Sequence, residues 1–208
     1  MKNIWLDIEL SDYENHMASP DVAQSQYLSR YLSEVLASYQ PNTIAILGCS
    51  GGNGLEKING KKIEKIICVD INPNYLKEAE TRYKNNFKNI EFVCQDIESQ
   101  NFRINSVDLI YAGLVFEYVD IEPVIVNNQK FLNKKGILAV VLQQPHENIP
   151  EVTPSKYKSL EKLSRIFRFV SPVKLVELCK AHEIRLISQK EIQLQSGKKF
   201  IELIFQKS

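Results

Sequence analysis

The chain has 208 residues, of which 44% are hydrophobic and 25% are charged, and 26 basic against 25 acidic side chains leave a formal net charge of +1. These values predict an ordinary soluble globular protein built as one domain. The near-neutral charge argues against a dedicated nucleic-acid-binding protein. The longest apolar runs, 109–116 and 136–142, are much shorter than the about 20 residues of a membrane span. Acidic residues near the amino terminus do not fit a signal peptide, so we expect a cytoplasmic protein without a membrane partner.

Metal sites and disulfide bonds are not indicated by the sequence. The four cysteines contain no C-x-x-C pair, and the three histidines share no metal-ligand spacing. We therefore expect neither a metal cofactor nor a disulfide framework.

Helix and strand patterns alternate along the first two thirds of the chain. A helix is predicted to begin at Ser19-Pro20, because serine caps helices and proline suits their first turn. Short apolar runs predict buried strands at 43–47, 65–70, 90–94, 107–112 and 137–142. Further helices are predicted after the glycines that end at residue 54, from Asn72-Pro73, and over 119–132. Near-continuous Val, Ile and Leu runs separated by helices are typical of a parallel sheet covered on both faces.

The last part of the chain has a different pattern. A helix is predicted from Ser171-Pro172 to about residue 182, followed by strands at 184–194 and 200–206. The connection between these strands is short enough for a hairpin, so the last strand must run antiparallel to its partner. The predicted fold is therefore α/β, a doubly wound and mostly parallel seven-stranded sheet with an antiparallel C-terminal hairpin and helices on both faces.

A glycine-rich turn, residues 48–54, follows the first predicted strand. Ligands of open α/β sheets bind at the carboxyl ends of the strands, so this turn is the first candidate for a site. It lacks the Gly-Lys-Ser/Thr of a phosphate-binding P-loop and the spacing of a dinucleotide-binding turn. It does contain the G-x-S-x-G of hydrolases, with Ser50 as nucleophile and His146 or His182 as base. Position argues against this alternative, because that motif normally follows several earlier strands.

The same turn resembles the first motif of the class I (Rossmann-like) S-adenosylmethionine-dependent methyltransferases, an acidic residue followed by Gly-x-Gly-x-Gly. In that alignment Gly48, Ser50 and Gly52 occupy the glycine positions. Two residues depart from the family pattern. Ser50 replaces the middle glycine, and Ile46 stands where the family has an acidic residue near the methionine amino group.

Later strand ends extend the resemblance over about residues 43–142. Asp70 ends the second strand, where a carboxylate can accept both hydroxyls of a ribose. Asp96 follows the third strand, where the family places an acid against the adenine amino group, and Glu117-Tyr118 follows the fourth. The resemblance implies a binding site for S-adenosylmethionine that comprises Gly48, Cys49, Ser50, Gly52, Asn53, Asp70, Ile71, Asp96, Ile97, Ala112 and Gly113.

The activity implied by the resemblance is direct in-line methyl transfer to a small-molecule acceptor. Candidate catalytic residues on the acceptor side are His16, Tyr13 and Tyr118, which carry a base and two phenols. The basic segment 155–168 is expected to be an amphipathic helix with a solvated charged face, or else a lid that attracts an acidic acceptor. A non-catalytic cofactor-binding protein on the same fold is an alternative, since Ile46 lacks the family's carboxylate.

Four parts of one domain are predicted. They are a helical cap at 1–40, a cofactor-binding core at 43–142, a lid-like insertion at 143–170, and a C-terminal helix with hairpin at 171–208. Three prolines mark the insertion, and long interruptions of this kind are often lids or binding loops.

Overall fold

A single mixed sheet of seven strands forms the centre of the molecule in the computed structural model, which describes residues 3–208. The strand order is β3-β2-β1-β4-β5-β7-β6. The strands are β1 Thr43–Leu47, β2 Lys65–Asp70, β3 Ile90–Cys94, β4 Val107–Gly113, β5 Leu132–Gln144, β6 Ile184–Gln193 and β7 Lys199–Lys207. Strands β1 to β5 pair in parallel, and β7 runs antiparallel to both of its neighbours. The predicted fold class is therefore confirmed.

Helices cover both faces of the sheet. The five α-helices are α1 Leu10–Ala18, α2 Gln24–Tyr39, α3 Pro73–Tyr83, α4 Ile121–Phe131 and α5 Pro172–Ala181. Alternate residues of each strand enter opposite cores, as the two-residue period of a strand requires. Ile44 and Ile46 of β1 pack in the core on the side of α2 and α3, whereas Ala45 and Leu47 pack in the core on the side of α4 and α5. Both faces of the central strands are thus buried, which explains their continuous apolar sequences.

Side-chain caps begin two of the helices where the sequence predicts them. The Asn74 N–H donates to the side chain of Asn72 at the start of α3 (2.9 Å), and the Lys174 N–H donates to Ser171 Oγ at the start of α5 (3.3 Å). Each cap satisfies a backbone N–H that the helix leaves without an internal partner. The first of these caps matters for the site, because Asn72 lies two residues after the end of β2.

The amino-terminal helix prediction is wrong in its starting point. Ser19-Pro20 does not begin a helix but follows the end of α1, and the Ser19 hydroxyl donates to the His16 carbonyl (2.9 Å). Helix α2 begins only at Gln24, after Ala23 with a φ of 51°. Serine and proline therefore form the turn between two helices here, a role that both residues also favour. As a result the tyrosine and histidine candidates of the cap, Tyr13 and His16, lie on a helix.

The helix predicted after the glycine turn is also wrong. Only one turn of 3₁₀ helix, Leu55–Lys57, lies between that turn and β2. Helix α2 packs directly against residues 54–56. A Cβ on Gly54 would lie 2.9 Å from Leu32 Cδ2, and the Ser29 hydroxyl donates a hydrogen bond to the Glu56 carboxylate. Residues 133–136, predicted to be a turn before β5, instead belong to its first part.

The insertion at 143–170 folds against the amino-terminal segment. Its basic part contains a 3₁₀ helix, Lys158–Arg165, rather than the expected α-helix. Leu160 and Leu163 of this helix are buried against Ile8, and Trp5 packs on the same cluster. The apolar side of the segment therefore anchors it, and the charged residues remain outside. Within residues 3–208 no helix combines the length and the apolar character needed to cross a membrane.

Candidate functional site

The glycine turn follows β1 and contains four residues with a positive φ. Gly48 has a φ of 64°, Ser50 of 52°, Gly52 of 95° and Gly54 of 92°. A side chain at position 48 would also collide with Val115, because a Cβ there would lie 2.7 Å from the Cγ2 atom of that valine. The Cys49 N–H donates to the Val69 carbonyl (3.0 Å), which ties the turn to the end of β2. The backbone of the turn is therefore close to the ends of two neighbouring strands.

Asp70 joins the ends of β1 and β2 through its carboxylate. Its Oδ2 accepts from the Ser50 N–H and its Oδ1 from the Asn72 N–H, both at 2.9 Å. The side chain is buried, and burial raises the pKa of Asp70, an effect that the backbone N–H groups of Asn72, Ser50 and Ile71 partly offset. Each carboxylate oxygen still has a free lone pair. Asp70 is therefore a fixed acceptor at the strand ends.

A cleft of about 690 Å³, counted out to its open mouth, lies where the strand order reverses between β1 and β4. This is the place at which ligands bind in open α/β sheets. Nine of the residues predicted for the site line it, namely Gly48, Ser50, Asp70, Ile71, Asp96, Ile97, Gly113, Tyr13 and Tyr118. Asp96 is exposed, and its Oδ1 also accepts from the Glu98 N–H (2.9 Å), so the same residue forms the turn after β3 and lines the cleft.

A second hollow continues from the cleft past the glycine turn. Cys49 and Asn53 line it, together with Ile46. Its charged groups include Glu14 of α1 and Arg82 of α3, which form a two-pronged ion pair with N–O distances of 2.5 and 3.1 Å. The hollow thus contains an ion pair between two helices. It lies on the same hollow as Ile46, the position where the family has an acidic residue. Sequence reasoning did not find Arg82, which has no motif around it.

Two of the predicted cofactor-binding residues, Gly52 and Ala112, do not line the cleft or the hollow. Ala112 is fully buried in the core on the side of α4 and α5, because it alternates with Tyr111 and Gly113 along β4. Gly52 faces the ring of Tyr83, which would lie 2.6 Å from a Cβ at this position. Both positions support the shape of the turn and the strand.

Aromatic side chains cover the cleft. Trp5 packs edge-on against Tyr13 and Tyr118, with ring centroids 5.4 and 5.0 Å apart. The Trp5 carbonyl accepts a hydrogen bond from Asn72 Nδ2 (2.9 Å), which fixes the cover to the start of α3. Trp5 is the single tryptophan of the chain. Its fluorescence is therefore a direct probe of the cleft.

Tyr13 and Tyr118 separate the cleft from a narrow inner pocket on the side of β5. The inner pocket is lined by His16, Gln24, Gln143 and Lys198 as well as by these two tyrosines. His16 thus lies behind the aromatic cover and not in the cleft itself. Burial lowers the pKa of His16, and the positive charge of Lys198 lowers it further, so the imidazole is neutral. Lys198 follows a hairpin turn and carries no motif that could have marked it in the sequence.

Glu117 is buried beside the same tyrosines. Its Oε1 accepts from the Gln143 N–H (2.6 Å), and its Oε2 has no hydrogen-bond partner among residues 3–208. Burial raises the pKa of Glu117 to about 7, although the backbone N–H groups of Gln143 and Glu117 act in the opposite direction. The side chain lines neither the cleft nor the inner pocket. It is therefore an internal acid that changes its charge near neutral pH.

The arrangement lacks the base that a serine hydrolase needs. Ser50 Oγ is buried without a hydrogen-bond partner in the described part of the chain. His146 Nδ1 accepts from the Asn148 N–H (3.1 Å), and His182 lies at the end of α5. Neither histidine lines the cleft or the hollow. The geometry does not support the hydrolase alternative.

Replacing Ser50 by glycine is expected to raise the free energy of unfolding by about 1 kcal/mol, because it relieves a left-handed backbone and removes a buried hydroxyl without a partner. Chemical denaturation measures the change. Ser50→Ala is the matched control, since it removes the hydroxyl but keeps the Cβ at a φ of 52°. A loss of stability in Ser50→Gly would contradict this account of the turn.

Comparisons with known proteins agree with this fold. Residues 46–140 match a family model described as a methyltransferase domain. Phosphoethanolamine N-methyltransferase 1 of Triticum aestivum is 25% identical over 142 residues, which make up 64% of this chain and 28% of that protein. The matched part is thus less than a third of the plant protein's length.

Solved structures resemble the chain over nearly its whole length. N-methyltransferase NodS from Bradyrhizobium japonicum, solved in complex with S-adenosylhomocysteine, has a TM-score of 0.69 at 17% identity and covers 99% of both chains. An S-adenosylmethionine-dependent methyltransferase from Clostridium acetobutylicum has a TM-score of 0.69 at 13% identity, over 95% of this chain and 98% of that one. The [4+2]-cyclase SpnF has a TM-score of 0.66 at 13% identity, over 86% and 81%.

The resemblance carried by the sequence motifs is confirmed by the family model, and the fold class by the structures. Residues 46–140 are similar to a methyltransferase domain, and the chain has the fold of these solved methyltransferases.

Proposed function

We propose that the protein is an enzyme that transfers a methyl group from S-adenosylmethionine to a small-molecule acceptor. The observation that carries this proposal is the cleft at the switch point of the sheet, where Gly48, Ser50, Asp70 and Asp96 meet beneath an aromatic cover. These residues come from the ends of three strands and match the family's motifs in order. The cofactor, when bound, supplies a methyl group on a sulfonium, which is already a good leaving group.

The residues of the cleft suit the parts of this cofactor. Asp70 has free lone pairs for the two ribose hydroxyls, and Asp96 and Ile97, which line the same cleft, would contact adenine as the resemblance to the family implies. In the second hollow, the Glu14–Arg82 pair offers one charge of each sign. An amino-acid zwitterion is complementary to such a pair, so we assign the methionine end to this hollow. In this assignment the ion pair compensates for the acidic side chain that Ile46 does not provide.

The acceptor side of the site holds groups that can position a nucleophile and take up its proton. Burial raises the pKa of Tyr13 and Tyr118, so both phenols remain protonated donors. His16 is kept neutral by burial and can accept a proton. Trp5 packs against both tyrosines and lines the cleft. Positioning of this kind provides much of the acceleration of an in-line transfer.

The names of two relatives favour a small acceptor with a nitrogen nucleophile. NodS and the Triticum aestivum protein are both N-methyltransferases, and the name of the latter gives phosphoethanolamine as its substrate. A screen of small amines and alcohols with S-adenosylmethionine, with S-adenosylhomocysteine release as readout, tests the reaction. Calorimetry with S-adenosylhomocysteine tests the cofactor site separately. Absence of binding at millimolar cofactor would remove the proposal.

Replacing Arg82 by glutamine is expected to weaken binding of S-adenosylhomocysteine by about tenfold, because one charge-assisted hydrogen bond to the amino-acid carboxylate is lost. Affinity for 5′-methylthioadenosine, which lacks the amino-acid end, should not change. Calorimetry with both ligands measures the difference. Lys84→Gln is the control, since Lys84 also pairs with a glutamate near the end of α3, at 2.9 Å, but lies outside the hollow. Equal losses for both ligands would contradict the assignment of the methionine end.

A second candidate function is cofactor binding without methyl transfer. SpnF, which is named as a cyclase, shares this fold, and Ile46 departs from the methyltransferase motif. The two functions differ in a simple measurement. A protein that binds S-adenosylhomocysteine tightly but releases none from S-adenosylmethionine across the amine and alcohol screen would have this second function.

A further inference from the structure

The inner pocket contains a buried ammonium group. Lys198 is only 3% exposed, and its Nζ donates to the backbone carbonyls of Glu151 (2.8 Å) and Pro150 (3.5 Å). No carboxylate among residues 3–208 forms an ion pair with it. A buried charge without an opposite charge is costly. The ammonium has a third proton that neither carbonyl accepts, so the pocket holds a cationic donor that lacks an anion.

The surroundings of Lys198 are built of hydrogen-bonded amides. Gln24 Nε2 donates to Gln143 Oε1 (3.2 Å), and Gln143 Nε2 donates to the Glu151 carbonyl (2.9 Å), which also accepts from Lys198. These bonds fix the 150–151 loop against the ends of β5 and β7. Gln24, Gln143 and Lys198 are all more than nine-tenths buried. The donor is thus part of a formed pocket and not of a mobile surface.

The inner pocket adjoins the cofactor cleft through three residues. Tyr13 and Tyr118 line both spaces, and Leu114 does so as well. The remaining titratable groups at the pocket are His16, whose ring has no hydrogen-bond partner among residues 3–208, and Glu151, whose backbone rather than carboxylate binds Lys198. A small molecule in the pocket would therefore meet a cation and a neutral imidazole at one end, and two phenols toward the cleft.

We propose that the inner pocket is the acceptor subsite and that Lys198 binds an anionic group of the acceptor, either a carboxylate or a phosphate. The word acceptor rests on the proposed methyltransferase function, whereas anion binding by Lys198 does not depend on it. The pocket is narrow, so the anionic acceptor is a small metabolite-sized molecule and not a polymer.

The first test titrates the full-length protein with acetate, with inorganic phosphate and with methylammonium, and follows the imidazole ¹H–¹⁵N signals of His16. We expect both anions to shift these signals and methylammonium to leave them unchanged. The stronger of the two anions identifies the acceptor class. Lys198→Gln should weaken the anion affinity by about tenfold or more, since a charge-assisted hydrogen bond is lost. Lys199→Gln, at the exposed neighbouring position, should bind as the wild type does.

A second measurement needs no variant at the buried position. Burial lowers the pKa of Lys198 to about 8, although the negative charge of Glu151 acts in the opposite direction. Acetate binding to the wild type should therefore decline as the pH rises through about 8, well below the range in which exposed lysines lose their protons. Affinity that is constant up to about pH 10, the ordinary range of lysine, would overturn the proposal, as would equal shifts of His16 in the wild type and in Lys198→Gln.

Binding of the cofactor can be tested independently of anion binding at Lys198. Lys198 lies outside both the cleft and the hollow, so Lys198→Gln should bind S-adenosylhomocysteine with unchanged affinity. If the wild type binds anions at Lys198 but does not bind S-adenosylhomocysteine, the proposed function fails and the anion site stands. If the cofactor binds and anions do not, the assignment of Lys198 fails and the proposed function stands.

Discussion

Replacing Asp70 by alanine is expected to weaken binding of S-adenosylhomocysteine by about 100-fold or more. Without the carboxylate, the ribose would lose two charge-assisted hydrogen bonds, each of about 1.5 kcal/mol or more. Every 1.4 kcal/mol is about tenfold in affinity. The glycine turn would loosen as well, since Asp70 accepts from the Ser50 N–H at its Oδ2 and from the Asn72 N–H at its Oδ1. Calorimetry and the fluorescence of Trp5 both measure this change.

Two further variants separate ligand contact from loop support. Asp70→Asn retains one acceptor oxygen, so its affinity should lie between those of the wild type and Asp70→Ala. Asp21→Ala, at an exposed position outside the cleft, should bind as the wild type does. In Asp70→Ala the affinities for S-adenosylhomocysteine and for 5′-methylthioadenosine should fall by the same factor, because both ligands carry the ribose. Unchanged affinity in Asp70→Ala would refute the assignment of the site.

Glu117→Gln is expected to remove a large part of the pH dependence of stability. In the folded protein Glu117 keeps its proton up to about pH 7, whereas in the unfolded chain it loses it near its ordinary pKa of 4.5. The unfolded state therefore binds fewer protons than the folded state within that window, and the free energy of unfolding falls as the pH rises. Above pH 7 this fall in the free energy of unfolding amounts to about 3 kcal/mol in the wild type. The glutamine variant should not show it.

Denaturant unfolding of both proteins between about pH 4 and 8, a range that spans the ordinary and the raised pKa of Glu117, checks this prediction. Tyr13 and Tyr118, which face Glu117, stay protonated over this range because their pKa values are raised. Asp70 and Glu202 also have raised pKa values, but they contribute equally to both proteins and cancel in the difference. Glu177→Gln, on the outer side of α5, serves as the control. Parallel stability curves for wild type and Glu117→Gln would show that Glu117 titrates normally.

The sheet could be predicted from the sequence because its signals are local. The strands β1, β2 and β3 are short apolar runs with turn residues at both ends, and their observed bounds agree with the predicted ones. Helix α1 was missed because its residues are half polar and its end coincides with a serine and proline that also suit a helix start. The helix expected after the glycine turn is absent from the structure because α2, distant in sequence, occupies that space.

The cofactor side of the site was predictable for a similar reason, since the ends of parallel strands necessarily meet at one edge of the sheet. Asp70 and Asp96 could be predicted as site residues from their positions at the ends of the second and third strands. Lys198 and Arg82 could not be found in this way. In the sequence Lys198 is indistinguishable from its exposed neighbour Lys199, and only the packing of the 150–151 loop buries it. Interactions over long sequence distances determine the acceptor side.

Strand β7 has a consequence for synthesis of the chain. It follows every other strand in sequence, yet it lies inside the sheet between β5 and β6. Until the ribosome has released it, β5 exposes an edge of unpaired backbone groups, and β6 has no partner within the sheet. The fully buried Phe200, Leu203 and Phe205 are then missing from the two cores. We therefore expect the nascent chain to be prone to aggregation until β7 emerges and closes the sheet.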